Sequence, residues 1–253
     1  MGKGIRSALR GMADTARTLL FPPKCVCCRT LLPPFDGKDP IFCPLCRTAW
    51  ETALAEAAEP SAVDASRGMV YLTFYHSDRP ADAPERLIYH LKHKGGPRSF
   101  RFVARCLAPR VLAVAEQIPT RAPLSDADRP LLFTYPPRRP SARRRNGLDQ
   151  AARLARALAK SCGGEYATLI RRTRRAGGEQ KRLDADERTQ NAALTYALTP
   201  SAAKAVRDRQ VVICDDLRTT GATLDFCARL LAEAGARSVI LATVAKTYFS
   251  REK

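Results

Sequence analysis

The chain alternates short apolar runs with stretches in which apolar residues recur every three or four positions. "MVYLTFY" (69–75), "PLLFTY" (130–135), "YATLIRR" (166–172), "QVVICDD" (210–216) and "RSVILATVAK" (237–246) are rich in β-branched and aromatic residues and predict strands. Helical spacing predicts helices over "DQAARLARALAKS" (149–161) and "GATLDFCARLLAEAG" (221–235). "PERLIYHLKHKGG" (84–96) has Pro near its start and Gly-Gly at its end, helix signals at both termini. "FRFVARCLAPRVLAVAEQ" (100–117) reads as a helix that Pro109 can break, and a further helix is expected near 49–58. Ile5, Leu9, Met12, Ala16 and Leu19 give residues 1–20 an amphipathic helical period.

Strands that alternate with helices build βαβ units. The expected fold class is therefore α/β, a mainly parallel sheet flanked by helices. The small, polar "EPSAVDASRG" (59–68) reads as a linker. Residues 1–58 are thus expected to form a small N-terminal unit, and 69–253 the larger domain.

Composition narrows the function classes. No run of about 18 apolar residues exists to span a bilayer. The N-terminus lacks the continuous apolar middle of a secretory signal, and Arg6 stands where a myristoylation signal wants Ser or Thr. A cytoplasmic location is expected. The formal charge of +18, from 43 Lys plus Arg against 25 Asp plus Glu, favours anionic partners such as nucleic acid, nucleotides or phosphorylated sugars.

Two Cys-x-x-Cys pairs, Cys25 with Cys28 and Cys43 with Cys46, are separated by 14 residues. Two such knuckles can present four thiolates tetrahedrally, so a structural Zn2+ site is predicted, with Cys27 as a competitor for the place of Cys28. Four unrelated buried thiols, or disulfides, are the alternatives. Cys106, Cys162, Cys214 and Cys227 sit in apolar patterns and read as core residues, and His76, His90 and His93 have no metal-site spacing.

"VVICDDLRTTGATL" (211–224) carries the candidate chemistry. The strand delivers Asp215 and Asp216 to the carboxyl edge of the sheet, where open α/β folds bind ligands. Residues 219–223 then offer backbone N–H groups and hydroxyls at a helix start, a cradle for a phosphate monoester. Vicinal ribose hydroxyls suit the carboxylates, and a 5-phosphate suits the loop. A P-loop is excluded because no Gly-Lys-Ser/Thr follows, and a dinucleotide fingerprint is absent because Gly221 stands alone. An Asp-rich turn with a Thr N-cap would explain each residue singly.

This block resembles the type I phosphoribosyltransferase signature. The cysteine pairs, "YHLKHKGG" (89–96), "PPRRPSARRRNGLDQAARLARALA" (136–159), "EQKRLDADERTQNA" (179–192) and the acidic block follow in the order seen in the ComF family, which includes proteins called ComFC and GntX. The resemblance implies a phosphoribosyltransferase fold behind a zinc ribbon, with phosphoribosyl pyrophosphate (PRPP) and Mg2+ as ligands. By that resemblance Asp215 and Asp216 hold the ribose hydroxyls, and Thr219, Thr220, Gly221, Ala222 and Thr223 the 5-phosphate. The loop from Tyr135 to Arg139 meets the pyrophosphate, with Arg138, Arg139, Arg143, Arg144 and Arg145 as candidate cations. Residues 172–182 would be the mobile loop that closes the site.

Departures from related enzymes are also visible. Thr219 stands where hypoxanthine-type enzymes carry an acid, so no general base is evident and no catalytic residue is assigned. Family members commonly read Arg-Gly-Phe-Asn-Gln where this chain has Asn146 to Gln150, which puts Asp149 near the expected pyrophosphate. Arg218 either reaches the ligand or faces solvent. Three functions follow: phosphoribosyl transfer to an unknown acceptor, single-stranded DNA handling with competence proteins of natural transformation, or PRPP sensing without turnover.

Overall fold

The computed structural model describes residues 22–32, 41–57, 63–64, 68–118, 130–141, 149–173 and 195–248. The expected helix over 1–20, most of the 172–182 loop, and Arg143, Arg144 and Arg145 lie outside the described residues.

Six strands form one sheet in the order β1-β2-β8-β7-β3-β4: β1 (Val63–Asp64), β2 (Met69–Tyr75), β3 (Leu132–Thr134), β4 (Glu165–Tyr166), β7 (Gln210–Arg218) and β8 (Ser238–Thr247). All neighbours are parallel except β1, which pairs antiparallel with β2 at the edge. The helices are α1 (Pro44–Glu56), α2 (Ala83–His93), α3 (Pro97–Gln117), α4 (Gln150–Ser161), α5 (Ala202–Val206) and α6 (Ala222–Glu233). The expected α/β class with a parallel sheet flanked by helices is what the chain adopts.

Both faces of the sheet are covered, which is why β7 reads as a continuous apolar run rather than an alternating one. On one face Val212 and Cys214 pack with Leu87, Ile88 and Leu91 of α2, Val103 and Leu107 of α3, and Leu154 and Leu158 of α4. On the other, Val211 and Ile213 meet Leu224, Cys227 and Leu231 of α6. Each leucine that is 0–2% exposed contributes about 2 kcal/mol through its buried area.

The N-terminal cysteine segment belongs to the first of these cores. Leu32, Ile41, Phe42 and Trp50 are buried in the same cluster as the sheet residues. Phe42 meets Trp50 at 5.6 Å and Phe102 of α3 edge-on at 5.4 Å, and Trp50 meets Phe102 at 6.0 Å.

Several elements differ from the sequence reading. The helix expected near 49–58 begins at Pro44, with Cys43 as its N-cap residue. Helix α3 starts at Pro97 and runs unbroken through Pro109. Both Pro109 and Arg105, whose carbonyl loses its partner there, are exposed, a position where solvent can take the place of the missing bond. The single strand predicted over 166–172 is two: β4, and β5 (Ile170–Arg172), which leaves the sheet to pair antiparallel with β6 (Tyr196–Leu198). The segment read as a linker contributes β1.

Candidate functional site at the carboxyl edge of the sheet

Strand β7 outruns its neighbour. Its pairing with β3 ends at Ile213, while its pairing with β8 continues to Arg218. Asp215 and Asp216 therefore stand beside a gap above the short β3. The chain leaves β7 for β8 on one side and leaves β3 for β4 on the other, so this gap is the point at which the strand order diverges.

Asp216 is buried, and its Oδ2 accepts from the Arg138 guanidinium at 2.9 Å. Asp215 Oδ1 accepts the Asp216 N–H at 2.8 Å. Desolvation, then the neighbouring Asp216 charge, pushes the Asp215 carboxyl up to about 8, while the Asp216 N–H, Arg138 and Lys92 oppose the rise. Of these cations Arg138, from the loop after β3, makes the direct contact, with Asp216.

Arg138 is fixed by its backbone. Its N–H donates to Asp149 Oδ2 at 3.2 Å, and Asp149 Oδ1 caps α4 by accepting the Ala152 N–H at 3.4 Å. Asp149 therefore serves as an N-cap and loop anchor. Tyr135, at the start of the same loop, is buried and stacked on Tyr166 with ring centroids 6.1 Å apart. Burial raises its phenol first, and the hydrogen bond with Tyr166 second. Arg139 is exposed.

Beyond β7, Thr219 and Thr220 are exposed and Gly221 turns left-handed with φ +86° as the N-cap residue of α6. Among the described residues no side chain caps α6, so the N–H groups of its first turn, led by Ala222 and Thr223, have no side-chain acceptor there. Asp225, the acid in that turn, is held by Arg218 at 3.0 and 3.2 Å. The Arg218 guanidinium lies against Gly221, where an added Cβ would stand 2.5 to 2.7 Å from its atoms. Arg218 is thus neither a solvent cation nor extended from the loop: it is folded onto it, 15% exposed, with a further contact to Met69 Sδ.

The sequence-predicted residues consequently lie along one edge: Tyr135, Arg138 and Arg139 after β3, Asp215 and Asp216 at the end of β7, and residues 219–223 leading into α6. The pairings of Arg138 with Asp216 and of Arg218 with Asp225 went unforeseen. The first joins residues 78 apart and has no local signature.

A second cluster stands in the N-terminal segment. The Sγ atoms of Cys25, Cys28, Cys43 and Cys46 all lie within 4.8 Å of one another. A tetrahedral zinc with Zn–S bonds of about 2.3 Å holds its sulfurs roughly 3.8 Å apart, so these four could hold the ion. The first knuckle is a tight turn, closed by Arg29 N–H to the Cys25 carbonyl at 3.1 Å with Arg29 at φ +68°. The second is the start of α1. Cys27 does not compete: its Sγ donates to the Ala83 carbonyl at 3.7 Å, and burial pushes its thiol up to about 12. The Thr30 hydroxyl lowers the Cys28 thiol to about 6, which favours the thiolate a metal needs.

Comparison with known proteins identifies one domain of the chain. A model of the phosphoribosyl transferase domain matches residues 144–252, under half the chain, which includes Asp215, Asp216 and the loop after them. The chain carries a domain of phosphoribosyltransferase type. Among solved structures it is similar to a glutamine PRPP amidotransferase from B. subtilis, at 15% identity and TM-score 0.36, covering 62% of this chain and 30% of that one. It is also similar to a hypoxanthine phosphoribosyltransferase from Staphylococcus aureus, at 13% identity and TM-score 0.36, covering 64% and 82%. A third, the hypoxanthine phosphoribosyl transferase of Trypanosoma cruzi, has 14% identity, TM-score 0.36 and coverages of 59% and 66%. The chain thus spans less than a third of the amidotransferase it matches. No curated protein matches it.

Proposed function

We propose that the chain binds PRPP with Mg2+ at the carboxyl edge of β7 and transfers its phosphoribosyl group to an acceptor. The observation that supports this most is the joint placement of an acidic pair at the strand divergence and an uncapped helix N-terminus directly after it. Asp215 and Asp216 would accept from the two ribose hydroxyls, and residues 219–223 would donate to the 5-phosphate. Arg138 and Arg139 would face the pyrophosphate, beside Tyr135.

Breaking the anomeric bond leaves positive charge on the sugar and negative charge on the pyrophosphate. Mg2+ would neutralise the departing phosphates, as a Lewis acid. The chain's own residues orient the two ends and supply compensating charge before the bond stretches. The Cys25, Cys28, Cys43 and Cys46 cluster would hold a structural Zn2+ with no part in this chemistry. The order of motifs along the chain supports membership of the ComF family, and a cytoplasmic setting is part of the same reading.

The test is calorimetric titration of PRPP with Mg2+ into the wild-type chain and an Asp215→Asn/Asp216→Asn double variant. Saturable binding that the variant loses supports the site, and equal binding by both refutes it. Pyrophosphate release in the presence of candidate acceptors then separates an enzyme from a PRPP sensor.

A second reading rests on one surface. Helices α3 and α4 pack on each other, and residues 97–115 and 150–161 contain no carboxylate, while Arg101, Arg105, Arg156 and Lys160 are exposed. Such a face suits a nucleic-acid backbone, and single-stranded DNA, with competence proteins as partners, is its occupant in this reading. Binding there should fall linearly on a log-log salt plot, with Arg105→Ala plus Arg156→Ala reducing the slope by about two.

A further inference from the structure

The cradle proposed for the 5-phosphate, residues 219–223, carries no charged side chain of its own. Charge stands at its two flanks, Arg218 at the end of β7 and Asp225 in the first turn of α6, and these two are paired with each other.

The pair is built around Gly221. Asp225 donates its N–H to the Gly221 carbonyl at 2.9 Å, so it stands one turn above the glycine. Side chains four residues apart share a helix face and lean toward the N-terminus, which directs the Asp225 carboxylate back over residue 221. Gly221 leaves that place empty, and the Arg218 guanidinium fills it: an added Cβ would stand 2.5 Å from Nη2 and 2.6 Å from Nε. From there Nη2 donates to both Asp225 oxygens, at 3.0 and 3.2 Å, and Nη1 donates to Met69 Sδ at 3.1 Å.

Stability does not account for this arrangement. The Asp225 side chain is 48% exposed, and an ion pair with so open a partner contributes little. The Arg218 Nε is buried and, among the described residues, has no acceptor, which is a standing cost. An acid in the first turn of a helix is moreover favourable by itself, because it meets the positive end of the helix dipole. Arg218 cancels that benefit. What the cancellation leaves is a helix N-terminus whose positive end is not already answered by a carboxylate of the same chain.

We propose that Arg218 is a positioning residue of the phosphate cradle, which neutralises Asp225 so that a phosphate dianion, rather than this carboxylate, is the anion at the N-terminus of α6. The inference rests on the PRPP reading above and names the pair of side chains that fits the cradle to a doubly charged group.

The experiment reads the two ends of the ligand separately. Ribose 5-phosphate and magnesium pyrophosphate are titrated calorimetrically into the wild-type chain, Arg218→Gln, Arg218→Lys, Asp225→Asn and the double variant Arg218→Gln/Asp225→Asn, with the melting temperature of each recorded. Arg218→Gln keeps a polar side chain over Gly221 and is expected to lose about tenfold in ribose 5-phosphate affinity, with magnesium pyrophosphate within about twofold. Arg218→Lys should recover most of the loss. In the double variant the carboxylate no longer needs a counter-charge, so ribose 5-phosphate affinity should return to within about threefold of wild type. Asp225→Asn alone tests the pair without touching Arg218, and its ribose 5-phosphate affinity should rise.

A double variant as weak as Arg218→Gln would overturn the proposal, since Arg218 would then act by its own contact or by the shape of the loop. Unchanged binding in Arg218→Gln, equal weakening of both ligands, or a fall in Asp225→Asn would overturn it as well. Each of these outcomes leaves the PRPP reading standing. A wild-type chain that binds neither molecule refutes that reading and this proposal with it.

Discussion

Arg138 and Asp216 form a 2.9 Å ion pair that bridges the loop after β3 and the end of β7. In the proposed function each has another task, since the carboxylate is to receive a ribose hydroxyl and the guanidinium a pyrophosphate oxygen. Ligand binding must therefore exchange one set of contacts for the other.

Arg138→Gln tests that exchange. It leaves Asp216 without its cation while Asp216 stays buried, so stability should fall by about 1 to 3 kcal/mol, less than for a fully buried pair because Arg138 is 24% exposed. Ribose 5-phosphate affinity should rise, because Asp216 is released, and PRPP affinity should fall. Chemical denaturation and calorimetry read the two effects; a parallel loss for both ligands would contradict the exchange.

Asp215 predicts a pH dependence. Its folded value of about 8 lies above the ordinary carboxyl range, so the folded chain retains a proton that the unfolded chain has released. The contribution to stability is complete below the ordinary carboxyl value and is lost as pH rises toward about 8. Unfolding measured from pH 5 to 8 should show this decline, flattened in Asp215→Asn. Magnesium PRPP titrated at pH 7 in buffers of different ionisation heat should release a proton that the variant does not.

Gly221→Ala should fail for two separable reasons. The φ of +86° costs any side chain, and the new methyl meets the Arg218 guanidinium. A loss of about 1 to 3 kcal/mol is expected. In the double variant with Arg218→Ala only the contact is relieved, so recovery in a thermal melt should be partial.

Metal analysis of reduced protein should find one zinc per chain, lost in Cys43→Ser. Because Phe42 and Trp50 share a core with Phe102, chelation should lower the melting temperature of the whole chain rather than release a separate early transition. Two independent melts would contradict the shared core.

The sequence was most informative where one local signal decides the structure. Strands β2, β7 and β8 are long, apolar and covered on both faces, and Asp149 before an apolar helical period marks the start of α4. That Cys25, Cys28, Cys43 and Cys46 come together was legible from spacing alone. What escaped depends on neighbours. "YATLIRR" has the composition of one strand, yet β3 offers β4 only Leu132 and Phe133 as partners, so the chain leaves the sheet and pairs with β6. Pro109 interrupts nothing because it faces water. Arg218 lacked a visible partner because Asp225 comes seven residues later, across a turn that only Gly221 allows.

The aromatic contact among Phe42, Trp50 and Phe102 also sets an order of events during synthesis. Trp50 leaves the ribosome 52 residues ahead of Phe102, which at ordinary elongation rates is roughly 3 to 10 seconds. For that interval the cysteine knuckles are complete while the helix that later covers Phe42 and Trp50 does not yet exist. A nascent chain whose four cysteines were already joined by a metal would present a formed template against which α3 docks, while Phe42 and Trp50 stay uncovered until Phe102 arrives.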